Sequence, residues 1–322
     1  MYSADIFTYK PYFGFSPTIE QVKKHIHIAA TEMCTALLFG ETGSGKGVIA
    51  RWIHEHSPRK NMAFVDINCS GLKGELLKTE LFGHSKGAFT SAVSDRPGLI
   101  EEANGGTLFL DEIGDMDINV QCQLLKTIEE KTYRRIGENK LRSSDFRLIC
   151  ATNNDLREAV KCGAFRADLY YRINTLFIYL PPLRARREDI AGLLNHILAN
   201  MGYDRFPLNE AVVDALTRYP WPGNIRELRN ALERALMFAQ GETLTPEHFP
   251  GFENVPASLQ TAAEQASPQK ETIWNLGKVE NEQIRQALRH FGGNKAKTCK
   301  ALGISLSSLY RKLDHICGGT TG

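Results

Sequence analysis

The stretch "LLFGETGSGKG" sets Gly40, Glu41, Thr42, Gly43, Ser44, Gly45, Lys46 and Gly47 between an apolar run and the helical pattern "VIARWIHEH". Glycines let successive backbone N–H groups turn toward one point. The start of the following helix adds positive potential there, and a lysine can reach the outer phosphates of a nucleoside triphosphate. Strand, glycine-rich loop and helix, in that order, are what a phosphate cradle requires. Gly47 departs from the general pattern, standing where a Ser or Thr hydroxyl usually faces Mg²⁺. Farther along, "GGTLFLDE" ends an apolar run on Asp111 and Glu112, so a buried strand would deliver two adjacent carboxylates beside the loop. Asp111 would position Mg²⁺, largely through water, and Glu112 would polarise an attacking water. An acidic pair after a strand is often only a helix cap, but the strand-like residues before this one favour hydrolysis.

A third stretch, "GHSKGAFTSA" from Gly83 to Ala92, poses a different question. Phe89 stands among small residues with no core-forming periodicity around it. Either the ring tucks back into the body, the usual fate of a lone Phe, or it is held out for a partner.

These groups need a frame. From about Thr35 to Pro182, the short apolar runs "TALLF", "AFVDIN", "TLFLDE", "RLICATN" and "LFIYL" alternate with longer amphipathic stretches. That alternation predicts an α/β layer on a parallel sheet. From about Leu183 to Phe249 the strands stop, and "EDIAGLLNHILANM", "NEAVVDALTRY" and "NIRELRNALERALMFA" predict a small all-helical subdomain. Residues 251–272 are rich in Ala, Gln, Ser, Pro and Glu without an apolar face, which reads as a linker. Two further helical patterns follow, joined at "GGN" and turning at "LGIS". The expected organisation is an extension (1–13), an α/β unit (14–182), a helical lid (183–250), the linker (251–272), a small helical domain (273–317) and a tail (318–322).

The composition fits such a protein. Hydrophobic residues at 42% and charged residues at 24% are ordinary for soluble globular chains. No apolar run is long enough to span a membrane, and the first residues lack a secretory pattern, so a cytoplasmic address is expected. The seven cysteines form no CxxC pair and are odd in number, so they read as reduced thiols, mostly core filler. The net charge of +2 says little, but Lys295, Lys297, Lys300, Arg311 and Lys312 crowd one C-terminal segment. "NKAKTCKALGISLSSLYRKL" there fits a helix-turn-helix with Ala296, Leu302, Ile304 and Leu309 as its core. Ser305 would open the recognition helix, and Ser307, Ser308, Tyr310, Arg311 and Lys312 would face DNA, with Lys295 nearby. A basic helical hairpin that packs on the ATPase is the alternative.

"GETGSGKG", "ELFGHSKGAFTSA", "GGTLFLDE", "FRADLYYRIN" and "WPGNIREL" occur in one order and spacing. In this the chain resembles the bacterial enhancer-binding proteins, AAA+ ATPases that activate RNA polymerase carrying sigma-54. The likeness covers about Gly14 to Phe249, and the C-terminal segment resembles the family's Fis-type DNA-binding domain. It implies that Gly87, Ala88, Phe89, Thr90, Ser91 and Ala92 form the loop that contacts sigma-54, with Phe89 and Thr90 at its tip and Ser91 where the family usually has Gly. It implies that Asn68 can hold Glu112 off line, that Thr152 and Asn153 are the sensor I pair, and that Arg226 approaches the γ-phosphate from the lid. Arg166 and Arg172 match arginines that reach a neighbouring subunit's ATP site. For Asn68 a strand-end amide, and for either arginine a surface ion pair, is the plainer alternative. "FGFSPTIEQVKKHI" is similar to a segment that stacks on adenine in relatives.

The resemblance thus implies a homo-oligomeric ring, a hexamer by family expectation, using ATP and Mg²⁺. It would remodel the sigma-54 polymerase closed complex while bound to double-stranded enhancer DNA. No sensory domain precedes the ATPase in this reading, so control is expected from a separate regulatory protein, from expression level or from a region not included here. The rival reading is a DNA-binding regulator of sigma-70 promoters that keeps the AAA+ domain for oligomerisation or ligand sensing. Retention of five of the six residues in the "GAFTSA" loop weighs against it.

Overall fold

The computed structural model describes residues 11–250, apart from 73, 91, 204–207 and 240, together with 294, 295, 298, 299 and 309. The chain divides into two units, Met1–Gln260 and Thr261–Gly322, and most of the described residues lie in the first. The expected linker and most of the C-terminal helical domain lie outside the described residues.

The first unit opens with α1 (Pro17–Glu32), followed by β1 (Ala36–Phe39), α2 (Lys46–Glu55), β2 (Phe64–Asn68) and α3 (Glu75–Phe82). The short strands β3 (Gly83–His84) and β4 (Arg96–Pro97) bracket the Phe89 loop. Then come α4 (Leu99–Glu102), β5 (Thr107–Asp111) and α5 (Ile118–Glu130). A second short pair, β6 (Thr132–Tyr133) and β7 (Arg142–Ser143), precedes β8 (Arg147–Thr152), α6 (Leu156–Lys161), α7 (Ala167–Ile173) and β9 (Leu176–Tyr179). The helical part consists of α8 (Ile190–Asn200), α9 (Glu210–Arg218) and α10 (Asn224–Ala239).

Five strands form one sheet in the order β2-β5-β8-β1-β9, and every neighbouring pair is parallel. All five sequence-predicted strands are therefore present. The central ones are apolar throughout because helices cover both faces: β8 is buried along its whole length. One face packs Leu77, Leu108, Leu124 and Leu169, and the other packs Ile26, Ala50, Ile53 and Ile149. The chain runs from β1 out to the edge strand β2 and ends on β9 at β1's other side. Strand order reverses beside β1, and open α/β sheets bind ligands at such a crevice, outside the carboxyl ends of the strands.

A third core belongs to the helical part, where Leu194, Leu216, Leu228 and Leu232 surround the fully buried Trp221. The Trp221 indole N–H donates to the Leu216 carbonyl at 2.7 Å, so the ring is buried without an orphaned donor. Of the six cysteines described, Cys69, Cys150 and Cys299 are buried, whereas Cys122 and Cys162 are exposed, so core filler accounts for only part of the set. Among the described residues no helix is long and apolar enough to cross a membrane.

The pairs β3–β4 and β6–β7 were not legible as strands, each being two residues long. The first pair, β3–β4, pinches the Phe89 loop at its base. A Cβ on Gly98 would lie 2.3 Å from the Gly83 nitrogen, so the two chains approach as closely as glycine allows. Gly87, at the loop's outer end, has φ +83° and open space around it. Gly98→Ala should thus cost about 1–3 kcal/mol by overpacking, and Gly87→Ala only about 1 kcal/mol from its backbone. Thermal melts of the two variants check this: Gly98→Ala is expected to melt clearly lower, and equal melting temperatures would contradict the pinch.

Candidate nucleotide site and partner loop

β1 ends at Phe39 and α2 begins at Lys46, so residues 40–45 span the gap between strand and helix. Gly43 and Gly45 adopt φ +80° and +99°, conformations that side chains rarely take, and Gly45 caps α2. Lys46 is only 6% exposed. Its ammonium donates to the Gly40 carbonyl at 2.9 Å and lies 3.2 Å from Glu112 Oε1. A lysine buried to this degree needs such partners, because an isolated buried charge is very costly.

The register of β2 with β5 sets Asn68 beside Asp111 at the strands' carboxyl ends. Glu112 follows with φ +50°, a left-handed conformation strained for a glutamate. That turn brings its carboxylate to Lys46, and Oε2 accepts from the Asn153 backbone N–H at 2.9 Å. Burial and then the neighbouring Glu112 push the Asp111 carboxyl above its ordinary range, while Lys46 pulls the other way. Burial also pushes the adjacent Cys69 thiol up to about 12, with Asp111, Asp115 and Glu112 adding to the effect, so this thiol is inert.

A cavity of about 550 Å³ opens between the glycine-rich loop, the ends of β2 and β5, and the start of α10. Thr42, Gly43, Gly45, Lys46, Gly47, Asn68, Asp111, Glu112, Asn153 and Arg226 all line it. Sequence reading thus named most of this wall, though residues from five separate segments make it. Asn153 is tied to the loop as well, donating from Nδ2 to Thr42 Oγ1 at 3.1 Å. Thr152 is buried, and its hydroxyl accepts from the Asn154 backbone N–H at 3.0 Å.

Three expectations meet different geometry. Asn68 does not hold Glu112: its Oδ1 accepts from the Ser70 N–H at 2.9 Å and the Ser70 hydroxyl at 2.6 Å, leaving Glu112 to Lys46 and Asn153. The Glu41 side chain does not line the cavity. Its carboxylate turns to the helical part, where Arg184 grips it with two bonds of 2.5 and 2.7 Å. Ser44 buries its hydroxyl without a partner, beside a second, mostly apolar hollow.

That second hollow, about 140 Å³, lies between α1, the loop and α8, and Tyr12, Phe13, Ile26, Val48, Leu180 and Ile197 are among its walls. The start of α1 is fixed over it by Asp189, whose carboxylate accepts from the Phe15 and Ser16 N–H groups and from the Ser16 hydroxyl. Arg186, 6% exposed, also lines it and leaves Nε without a partner. Sequence reading missed Asp189 and Arg186, since neither stands in a motif.

Arg166 and Arg172 are exposed or nearly so at the two ends of α7, and neither lines the cavity of its own chain. Arg166 forks onto Asp168 at 2.6 and 3.0 Å. Its backbone N–H donates to the buried Gln121 at 2.9 Å, which fixes where the arginine leaves the body.

In the Phe89 loop, Gly87 N–H donates to the Ala92 carbonyl and Ala92 N–H to the Phe89 carbonyl, each at 2.9 Å. Phe89 is 40% exposed, its ring centroid 4.9 Å from that of His84. The opening alternatives thus meet halfway, with the ring leaning on the loop's own base. Gly87 and Thr90 are exposed, Ala88 is half-buried, and Ser91 lies outside the described residues. Ala92 differs from the expected contact set: it is 6% exposed because it closes the turn from inside. Of the DNA-facing residues, Lys295 is exposed and helical, while Ser305, Ser307, Ser308, Tyr310, Arg311 and Lys312 lie outside the described residues. Leu309 is buried, as its core role requires.

Comparison with known proteins gives the same picture. Residues 12–179 match the sigma-54 interaction domain, 184–269 the AAA+ ATPase lid domain, and 275–315 the bacterial regulatory protein Fis family. The transcriptional regulatory protein ZraR of Klebsiella oxytoca is 42% identical over 94% of this chain and 68% of its own length. A Geobacillus stearothermophilus protein named limonene hydroxylase is 44% identical over 93% of this chain and 55% of its own. Among solved structures, NtrX from Brucella abortus in complex with ATP superposes with a TM-score of 0.68 at 28% identity, over 98% of this chain and 71% of that one. This chain therefore belongs to the sigma-54-dependent transcriptional regulators, with an AAA+ ATPase domain and a Fis-type helix-turn-helix.

Proposed function

We propose that this protein binds ATP with Mg²⁺ in the larger cavity and hydrolyses it within a ring of identical subunits. Each cycle would drive the Phe89 loop against sigma-54 in the polymerase closed complex, while the C-terminal domain holds enhancer DNA. The observation that carries the reading is the meeting of Lys46, Asp111, Glu112 and Arg226 around one cavity at the end of β1 and β5. The hydroxylase name borne by one relative describes no chemistry of these residues. The rival regulator of sigma-70 promoters is not favoured, since the matched domain is the sigma-54 interaction domain.

The donor set fits a magnesium–nucleotide complex. Among the described residues no cluster of three or more His, Cys, Asp or Glu can hold a metal by itself. Mg²⁺ is usually held by one or two carboxylates together with phosphates and water, and Asp111, half-buried and raised above its ordinary range by burial, is a carboxylate whose charge a cation would offset. The ion would neutralise charge between the outer phosphates. The glycine-rich loop offers its N–H groups to the phosphates, and Lys46 leaves the Gly40 carbonyl and Glu112 for the incoming oxygens. Glu112, freed of its lysine, can accept the proton of an attacking water, while Asn153 N–H keeps its carboxylate aimed. Arg226 approaches from the lid. The smaller, mostly apolar hollow suits the base.

Arg166 and Arg172 would complete a neighbour's site, a guanidinium being always charged and offering a rigid donor fork to phosphate oxygens. ATP turnover per subunit should therefore rise steeply with protein concentration. Mixing Arg172→Ala with Glu112→Ala protein should restore part of the activity that each lacks alone, since some interfaces then pair an intact arginine with an intact glutamate. A monomer that turns over ATP at the full rate would exclude the shared site.

Glu112→Gln removes the carboxylate that competes with phosphate for Lys46. Its ATP affinity, read by equilibrium titration, should equal or exceed that of the parent while hydrolysis falls at least about a hundredfold, within the range for loss of a general base. Weaker ATP binding would mean that the Lys46–Glu112 pair supports the nucleotide site rather than competing with it.

Phe89→Ala should cost well under the ~3 kcal/mol typical of a fully buried Phe, because the ring is 40% exposed. ATPase activity is expected to persist while open-complex formation at a sigma-54 promoter is lost. Normal promoter opening by this variant would remove the loop from the mechanism.

A further inference from the structure

Asn224, the first residue of α10, is completely buried and sits at φ +53°. Its Oδ1 accepts from Leu183 N–H at 2.8 Å, where the helical part begins. Its Nδ2 reaches into the phosphate loop, to the Thr42 carbonyl and to Glu41 Oε2, each at 3.1 Å. Arg184, next to Leu183, holds the same Glu41 carboxylate with both arms of its guanidinium. Ile225 N–H donates to the Gly43 carbonyl at 3.0 Å. A Cβ on Gly43 would stand 2.3 Å from the Gly223 carbonyl, so loop and lid turn touch backbone to backbone. Two separate pieces of the lid, residues 183–184 and 223–225, thus grip three consecutive residues of the loop.

None of Glu41, Arg184 and Asn224 lines the nucleotide cavity, whereas Arg226, two residues beyond Asn224 on the same helix, does. An exposed ion pair contributes little, but this one is bidentate, its arginine is 17% exposed, and a buried amide shares the carboxylate. The arginine first, and Asn224 with it, hold the Glu41 carboxyl below its usual range, so it stays ionised at neutral pH.

We propose that Glu41, Arg184 and Asn224 are positioning residues, a latch that sets the lid against the phosphate loop so that Arg226 stands where the outermost phosphate arrives. The inference rests on the reading of Arg226 as the lid's contact to that phosphate. The latch fixes distance before nucleotide binds. Released, α10 would pivot about its first turn and Arg226 would meet the phosphate only part of the time. ADP, which lacks that phosphate, would be held nearly as before.

The test uses the full chain with Glu112→Gln to prevent turnover, and titrates it with ATP and ADP. Arg226→Ala should reduce the preference for ATP over ADP. Asn224→Gly, which keeps the backbone conformation and removes the amide, should reduce it in the same direction by roughly fivefold or more, the lower end of typical coupling between sites. Arg184→Lys, which keeps charge and loses the fork, should give a smaller loss. Combining Asn224→Gly with Arg226→Ala should lower the preference no further than Arg226→Ala alone, because both act through one contact. If Asn224→Gly weakens ATP and ADP equally while Arg226→Ala still changes the preference, the three residues are packing and the inference is overturned. If Arg226→Ala leaves the preference unchanged, the reading of Arg226 fails. The latch is then decided by hydrogen exchange of the Ile225 amide without nucleotide: faster exchange in Asn224→Gly sustains it, and unchanged exchange overturns it.

Discussion

A buried lysine that must be shared is the constraint on which the rest depends. Lys46 opens α2 almost out of water, and its charge is tolerable only because a loop carbonyl and one carboxylate stand within reach. Both partners are ones a phosphate can replace. The loop can supply its carbonyl because Gly43 and Gly45 take positive φ, and β5 can supply its carboxylate because Glu112 turns through a left-handed conformation at the strand's end. Strain of that kind, worth roughly 1–3 kcal/mol, persists only where the surroundings over-determine it. Here they do: a parallel sheet buried on both faces fixes the ends of β1 and β5, and the Asn153 N–H holds the carboxylate from β8.

The same arrangement makes the site sensitive to what occupies it. Burial and then Glu112 push the Asp111 carboxyl above its ordinary range, since both oppose a second negative charge there. Phosphate and its cation would bring charge of each sign into the cavity together, which relieves the carboxylates and the lysine at once. The Phe89 loop lies at the other end of this stretch of chain. α3 follows β2 and leads straight into β3, so Asn68 at the cavity and His84 under Phe89 are joined by one short helix and its lead-in. The β6–β7 segment braces the loop from the other side, with Ser85 and Gly83 exchanging backbone bonds with Ile136.

Much of this was legible in the sequence, for reasons that differ by feature. The central strands stand out because strands buried on both faces need unbroken apolar runs, and "RLICAT" or "TLFLD" have no other plausible use. The phosphate loop is legible because its chemistry is local: glycines, lysine and helix start are contiguous. The partners of Glu112 were not, since nothing in the spacing of Lys46, Asn68 and Asn153 tells which of them reaches a carboxylate on β5. Glu41 was read with the loop it belongs to, yet its side chain answers to Arg184, far along the chain. The two-residue pairs β3–β4 and β6–β7 are too short to carry a period, and only the first has a hint, in the paired glycines at 83 and 98.

The "WPGN" turn shows how local sequence and distant geometry meet. Trp221 and Asn224 both have positive φ, an unusual concentration of strain in four residues. Proline at 222 and glycine at 223 predict a turn there. They do not predict that Trp221 would bury its ring in the lid core while Asn224 buries its amide against the phosphate loop. One turn therefore joins the lid's hydrophobic centre to the nucleotide site, and each anchor holds the other in its strained conformation. Trp221 cannot relax without opening the lid core, and Asn224 cannot relax without releasing Leu183, Thr42 and Glu41. A lid tied in this way keeps Arg226 on the cavity wall, and only release of the turn would let α10 carry it away.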